Sequence, residues 1–133
     1  MSYAKAYSAA QQYGSVGTEA AVAEADPHRL IQLLLETALV RIAAAKDHMQ
    51  HGEVARKGEC ISQAMSIMDG LRASLNAEEG GEIAHNLDNL YEYMSHRLLE
   101  ANVKNDAVRL DEVTRLLGEI KDAWASIAPS RVP

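Results

Sequence analysis

Cysteine is scarce in this sequence of 133 residues, and long apolar runs are missing altogether. The single cysteine, Cys60, allows neither a disulfide within the chain nor a metal site built from several cysteines, and it is consistent with a reducing compartment. No apolar run approaches the length that crosses a membrane, and the N-terminus lacks the apolar stretch of a signal peptide. The length predicts one domain, and the lack of long apolar runs predicts that it does not insert into a membrane.

Basic residues are also few, because 13 Lys and Arg face 19 Asp and Glu and leave a formal charge of −6. Proteins that bind nucleic acids draw most of their affinity from Lys and Arg contacts to phosphates. Anionic membrane surfaces attract basic segments in the same way. The charge balance therefore argues against nucleic acid as a partner and against docking on a membrane.

Proline is absent between Pro27 and Pro129, and the β-branched residues Val, Ile and Thr number only 18. The strongest helix formers, which are Ala, Leu, Glu, Lys, Arg, Gln and Met, account for 71 residues. This composition predicts an all-α protein.

Turn and capping signals divide the middle of the chain into four predicted helices. Asp26 is a good N-cap before Pro27, Gly80-Gly81 marks a turn, and Asn105 or Asp106 caps the last helix. The predicted helices run approximately over Pro27–Gln50, Glu53–Asn76, Glu82–Asn102 and Ala107–Ile127. Short loops between helices of similar length predict an antiparallel up-down-up-down four-helix bundle over residues 26–128, followed by a tail at 129–133.

Each predicted helix carries apolar residues at steps of three and four, which places them on one face. The predicted core residues are Ile31, Leu35, Ala38, Ile42, Ala45, Met49, Val54, Ile61, Ala64, Met68, Leu71, Leu75, Ile83, Leu87, Leu90, Met94, Leu98, Ala101, Leu110, Val113, Leu117, Ile120, Trp124 and Ile127.

Residues 1–25 differ in composition, being rich in Ala, Ser, Gln and Gly, with Tyr3, Tyr7 and Tyr13 spaced along them. The segment is too polar to form its own core. A short helix, a disordered tail and a strap lying on the bundle all remain open, and we treat the segment as a flexible N-terminal strap.

Catalytic or metal-binding patterns are weak. A di-metal bundle uses Glu-x-x-His on two helices, and this chain has one such spacing, from Glu82 to His85. The candidates for a phosphotransfer histidine are His28, His48, His51, His85 and His96, and none has a suitable sequence context. No nucleophile is spaced with a base, and no Gly-rich phosphate loop is present. We expect neither an enzyme nor a cofactor or metal site.

Apolar residues exceed what one face per helix requires. One interpretation is a wide core, and the other is a groove that accepts apolar helices of another chain, where methionines would adapt to an irregular partner. On the second interpretation, and with Tyr7 taken from the N-terminal strap, the predicted partner-binding residues are Tyr7, Leu33, Val40, Met65, Ile67, Tyr91, Leu99 and Leu116. An uncovered apolar face can also pair with itself, so a homodimer of the empty protein remains open.

An ordered set of motifs along nearly the whole chain resembles the flagellar secretion chaperone family FliS. The matching residues are Tyr7, Ala25-Asp26-Pro27-His28-Arg29-Leu30-Ile31, Leu34-Leu35-Glu36-Thr37-Ala38-Leu39, Lys57-Gly58-Glu59, Ile61-Ser62-Gln63-Ala64, Gly80-Gly81-Glu82-Ile83-Ala84-His85-Asn86-Leu87, Leu90-Tyr91-Glu92-Tyr93-Met94, Arg97-Leu98-Leu99-Glu100-Ala101-Asn102, Asn105-Asp106 and Ala123-Trp124. One departure is Leu35-Glu36-Thr37, where the family more often has an aromatic residue, Asp and Gly.

The resemblance implies a small cytoplasmic four-helix bundle without catalysis. Its client would be the C-terminal segment of flagellin, which is disordered in the monomer and becomes helical as it wraps the bundle. The N-terminal strap would cover part of the groove and move aside for the client. The alternative is a helical adaptor whose main partner is a flagellar export gate component or an anti-sigma regulator.

Overall fold

The computed structural model describes residues 3–13, 26–75 and 77–127, and within these ranges every regular element is an α-helix. We number the helices in chain order as α1 to α5. They are α1 (Ala4–Tyr13), α2 (Pro27–Gln50), α3 (Val54–Ala73), α4 (Ala77–Lys104) and α5 (Ala107–Ser126). The predicted tail at 129–133 and most of the segment between α1 and α2 lie outside the described residues.

Helices α2 to α5 form the predicted antiparallel four-helix bundle. Around the bundle α2 contacts α3, α3 contacts α4, α4 contacts α5, and α5 closes the ring against α2. Cross-bundle pairs join opposite ends of the helices, as antiparallel neighbours require. Lys46 near the end of α2 pairs with Asp111 near the start of α5 at 2.8 Å, and Lys57 near the start of α3 reaches the end of α4.

The helix ends follow from capping chemistry. The Asp26 side chain accepts a hydrogen bond from the Arg29 amide at 2.8 Å, and Asp106 accepts from the Val108 amide at 2.9 Å, which assigns the N-caps of α2 and α5. Asn105 takes a left-handed conformation with φ 52°, and the Asp106 amide bonds back to the Ala101 carbonyl, which closes the end of α4.

Two predicted helix boundaries differ from the structure. Helix α3 ends at Ala73, where the Ser74 hydroxyl donates to the Leu71 carbonyl, rather than at Asn76. Helix α4 begins at Ala77 and is broken by a kink at Gly81, whose φ of 55° is one that glycine adopts readily. The backbone therefore leaves the helical conformation at Gly81, as the predicted Gly80-Gly81 turn requires, but a short helical segment that begins at Ala77 precedes this break.

The middle of each predicted apolar stripe is buried, but three residues at the ends of these stripes are exposed. Val54, Ile83 and Ile127 are exposed, so their assignment to the core was wrong. These residues lie near helix ends, where no neighbouring helix covers the face that carries the stripe. The departure from the family motif at Leu35 leaves the core intact, because Leu35 is fully buried.

Helix α1 lies on the bundle against both α2 and α3. Residues 4–13 therefore form a short helix that lies on the bundle as a strap. Two of the alternatives that the sequence left open, a short helix and a strap, thus apply together. Since α2 has neighbours on three sides (α1, α3 and α5), more than one face of α2 is buried. This explains why Leu30 and Leu34 are fully enclosed.

Candidate functional site

An apolar pocket opens at the end of the bundle where α3 passes into α4. Four bundle helices and the N-terminal strap contribute to it, because the start of α2, the end of α3, the start of α4 and the end of α5 meet there. Its volume is about 380 Å³. We call it the end pocket, and it is lined mainly by Tyr3, Ile31, Leu75, Ile83, Ala84, Leu87, Tyr91, Ile120 and Trp124, with Ser74 and Gly80.

One wall of the end pocket is fixed by a pair of reciprocal hydrogen bonds between α2 and α5. The Trp124 indole Nε1 donates to the His28 carbonyl at 2.9 Å, and His28 Nε2 lies 3.1 Å from the Trp124 carbonyl. The two rings stack with their centroids 5.1 Å apart. Because both contacts join the start of α2 to the end of α5, they hold the Trp124 side of the pocket in place.

Tyr91 lies on α4 and contributes a polar group to this apolar wall. Only 3% of its surface is exposed, and burial raises the pKa of its phenol to about 12. The phenol therefore stays protonated at any physiological pH. Close by, Ile83 is 73% exposed at the pocket rim, because it follows the kink at Gly81 and extends past the neighbouring helices.

The strap helix α1 docks through small side chains. Ala6, Ala9 and Ala10 are buried, and Ala6 and Ala9 lie against α3 where it has a glycine, Gly70. A methyl group added at Gly70 would lie 3.3 Å from Ala9 Cβ and 3.4 Å from Ala6 Cα. The close approach of α1 to α3 therefore depends on the missing side chain at this position.

A second, shallower depression of about 170 Å³ lies between α3 and α4, and we call it the side groove. Met65 and Leu99 supply its apolar surface, with Asp69, Ser95 and His96 around them. Arg72 also lines it and makes ion pairs with Asp88 at 2.8 Å and Glu92 at 3.1 Å. The side-chain hydrogen bond from Arg72 lowers the pKa of Asp88. These ion pairs join α3 to α4 beside the groove.

The structure brings some of the predicted partner-binding residues together and separates others. Met65 and Leu99 share the side groove, while Tyr91 lies in the end pocket. Val40 is exposed on α2, outside both surfaces. Tyr7 and Leu116 are partly buried and pack against the core.

Leu33, Ile67 and Tyr91 were expected to lie outside the core, and this expectation was wrong. All three are buried, with exposed fractions of 9%, 0% and 3%. The physical reason for Leu33 is that α2 is covered on three sides. Ile67 lies one helical turn before Gly70, on the side of α3 that α1 approaches. Their role in binding a partner stays a prediction.

Two features were missed by sequence reasoning. Ile83 was assigned to the core, although its position after two glycines signals a helix start with little cover. The alanines of α1 were not singled out, although Ala6, Ala9 and Ala10 follow the same three-and-four spacing that was used for the other helices. That spacing could have predicted an apolar face of small residues on the strap.

The structure places several of the residues that were considered for metal or phosphotransfer chemistry. No three His, Cys, Asp or Glu side chains are grouped there so that they could hold a metal ion, and both Glu82 and His85 are exposed. His28 and His48 are engaged with Trp124 and Glu53. The Cys60 thiol is buried, which raises its pKa.

No helix among residues 3–13, 26–75 and 77–127 combines the length and the hydropathy needed to traverse a lipid bilayer.

The sequence is similar to known proteins along most of its length. The family model described as Flagellar protein FliS matches residues 9–131. A Pseudomonas aeruginosa protein named Flagellar secretion chaperone FliSB is 50% identical over 123 residues, which cover 92% of this chain and 98% of that protein.

Two further relatives are named Flagellar secretion chaperone FliS. The protein from Salmonella typhimurium is 47% identical over 118 residues, which cover 88% of this chain and 87% of the relative. The protein from Vibrio cholerae serotype O1 is 40% identical over 119 residues, which cover 90% and 88%. The chain therefore belongs to the FliS family of flagellar secretion chaperones, which is a family of chaperones and not of enzymes.

Proposed function

We propose that this protein is a cytoplasmic export chaperone that binds the disordered C-terminal segment of flagellin. In this role it prevents premature polymerisation and assists delivery to the flagellar type III secretion apparatus. Membership of the FliS family supports a client of the flagellar export system. The end pocket is the observation that carries the proposal, because it is an open site of about 380 Å³ that is lined mainly by aliphatic and aromatic side chains.

The chemistry of the end pocket fits an apolar helical client. Aliphatic and aromatic side chains line it, and Ile83 at its rim already exposes most of its surface to water. An amphipathic helix that laid its apolar face on this site would remove that surface from water at roughly 25 cal/mol per Å². The terminal helices of flagellin pack together in the filament, so in the cytoplasm they need such cover until export.

The dimensions favour a client that is several helical turns long. Ile83 in the end pocket and Leu99 in the side groove both lie on α4. These residues are about 24 Å apart along the helix axis at ~1.5 Å per residue and about 160° apart around it at about 100° per residue, so a client that used both surfaces would have to wrap around the bundle. A client that used both surfaces would contact Tyr91 in the first and Met65 and Leu99 in the second.

A client that folds only on binding loses conformational entropy, at about 1–2 kcal/mol for each backbone residue that becomes ordered. Much of the energy gained by burying apolar area is used in this ordering, so the affinity stays moderate for the area covered. A moderate affinity suits a chaperone, since the client has to be released at the export gate.

The remaining partner-binding predictions belong to the same proposal. Tyr7 lies on the strap helix that covers α2 and α3, and Leu33 and Ile67 would become available to a client only if the strap moved aside. Val40 and Leu116 would extend the contact beyond the two surfaces. Self-association of the empty protein through the end pocket would give a homodimer.

The test uses the full-length protein with flagellin and with flagellin that lacks its C-terminal segment. We expect a stoichiometric complex with the first and none with the second, measured by size-exclusion chromatography and isothermal titration calorimetry. Ile83→Asp should weaken the complex about tenfold or more, because a carboxylate at the rim would have to be desolvated against an apolar client.

The matched control is Val108→Asp. Val108 is also 73% exposed, but it lies at the start of α5 and outside the end pocket. Both variants should keep the circular dichroism spectrum of the wild type. Unchanged binding of flagellin without its C-terminal segment would contradict the assigned client region. Strong recovery of an anti-sigma regulator or an export gate component from cells without flagellin would favour the adaptor function instead.

A further inference from the structure

Hydrogen-bond donors are few among the side chains of the end pocket. Among the described residues that line the pocket, the side chains other than Tyr3 that carry a donor are Ser74, Tyr91 and Trp124. The Ser74 hydroxyl donates to the Leu71 carbonyl at 2.7 Å, and the Trp124 indole donates to the His28 carbonyl at 2.9 Å. Both of these donors are therefore already used within the protein.

The Tyr91 hydroxyl differs from these two groups. It makes no hydrogen bond to any residue that the structure describes, and it is not fully enclosed, so it keeps contact with the open side of the pocket although 97% of the surface of Tyr91 is covered. Burial is the cause of the raised pKa of this phenol, and no charged neighbour contributes. A client that covers this hydroxyl removes it from water, which is unfavourable unless the client supplies an acceptor.

We propose that the Tyr91 hydroxyl is the polar anchor of the end pocket and donates a hydrogen bond to an acceptor oxygen on the client helix. The acceptor is a main-chain carbonyl or a side-chain amide or hydroxyl oxygen that lies between apolar residues of the client. This inference rests on the proposed function, because it assigns a specificity-determining residue to the same site.

The anchor gives the pocket a selectivity that apolar contacts do not provide. Aliphatic side chains accept any segment of similar shape, whereas a buried donor disfavours a segment that leaves it unpaired. A client helix shifted by one residue would turn its acceptor away from Tyr91, since successive residues are about 100° apart around a helix. Tyr91 therefore selects the register in which the client binds.

The experiment compares Tyr91→Phe with Tyr93→Phe in the full-length protein, with full-length flagellin as the probe in isothermal titration calorimetry. Tyr93 lies on the same helix, is 43% exposed, and donates to Glu112 at 2.7 Å outside the end pocket. We expect Tyr91→Phe to weaken flagellin binding about threefold to tenfold, which is the effect of one neutral hydrogen bond. Tyr93→Phe should bind flagellin as the wild type does.

Thermal unfolding of the free variants separates recognition from a structural role. Since Tyr91→Phe removes a hydroxyl that makes no hydrogen bond to the described residues and keeps the buried ring, its unfolding midpoint should equal or exceed that of the wild type. Equal or tighter flagellin binding by Tyr91→Phe overturns the inference, and so does an equal loss in Tyr93→Phe. A wild type that does not bind flagellin overturns the proposed function and this inference with it, whereas normal wild-type binding with an unchanged Tyr91→Phe overturns this inference alone.

Discussion

Replacing Gly70 by leucine should detach the strap helix and leave the bundle folded. Gly70 is the point of closest approach between α3 and α1, where even a Cβ atom would lie 3.3 Å from Ala9 Cβ. The far larger leucine side chain has no space there. Because an isolated helix of 10 residues is marginal in water, α1 should lose its helical structure once it is displaced.

The expected change in the free energy of unfolding is small. Detachment exposes the methyl groups of Ala6, Ala9 and Ala10, which contribute about 2 kcal/mol in all at ~0.8 kcal/mol per buried carbon, and it also uncovers apolar side chains below the strap such as Ile67, while the released strap regains backbone entropy. Replacing glycine inside α3 by leucine returns about 1 kcal/mol through its better helix propensity. Since these contributions oppose one another, we expect a loss in global stability that is smaller than the roughly 2–5 kcal/mol caused by truncating a large core side chain.

Hydrogen exchange measured by mass spectrometry reports the detachment directly. Amides in α1 (Ala4–Tyr13) should exchange at the rate of an unfolded chain in Gly70→Leu, while amides in α2 to α5 keep their protection. The control is Gly118→Leu, since a Cβ at Gly118 has no neighbour within 4 Å. If α1 competes with the client for the same face, Gly70→Leu should also bind flagellin more tightly. Retained protection of α1 in Gly70→Leu would refute the packing argument.

Two further predictions concern the bundle itself. Leu117→Ala should lower the free energy of unfolding by about 2–5 kcal/mol in urea titrations, because Leu117 is fully buried and its truncation leaves a cavity; a loss below about 1 kcal/mol would contradict its place in the core. Hydrogen bonds from Tyr93 and then Arg97 lower the pKa of Glu112, so its stabilising effect is complete above the ordinary value of 4.5 and is lost as pH falls through the lowered folded pKa. Glu112→Gln should therefore weaken the dependence of stability on pH between about pH 5 and about pH 3. The control is Glu119→Gln, at an exposed position on the same helix, which should keep that dependence. An equal effect of both substitutions would argue against the pairing of Glu112 with Tyr93 and Arg97.

Local chemistry in the sequence was sufficient to predict the helices and most of their ends. Asp26 and Pro27 set the start of α2, and Asp106 sets the start of α5, because a side-chain oxygen that caps free amides acts within one turn of the chain. The bundle topology followed from short connections between helices of similar length. The end of α3 was predicted less well, since no proline or glycine follows Ala73 directly and Ser74 ends the helix through its own hydrogen bonds.

The candidate site depended on information that periodicity does not contain. A stripe of apolar residues gives the direction of a helix face, but it does not give the number of neighbours that cover that face. Leu33 is buried because α1, α3 and α5 all pack against α2, whereas Ile83 belongs to an apolar stripe and is nevertheless exposed.

By itself, then, the sequence determined an all-α protein, its four bundle helices, its caps and its likeness to the FliS family, because these depend on neighbouring residues and on their order. Only the tertiary structure decided that α1 packs on Gly70, that Met65 and Leu99 share a groove, and that Tyr91 lines an apolar pocket. These features arise where helices distant in the chain approach one another, and the spacing of such contacts is fixed by the shapes of side chains from several helices at once.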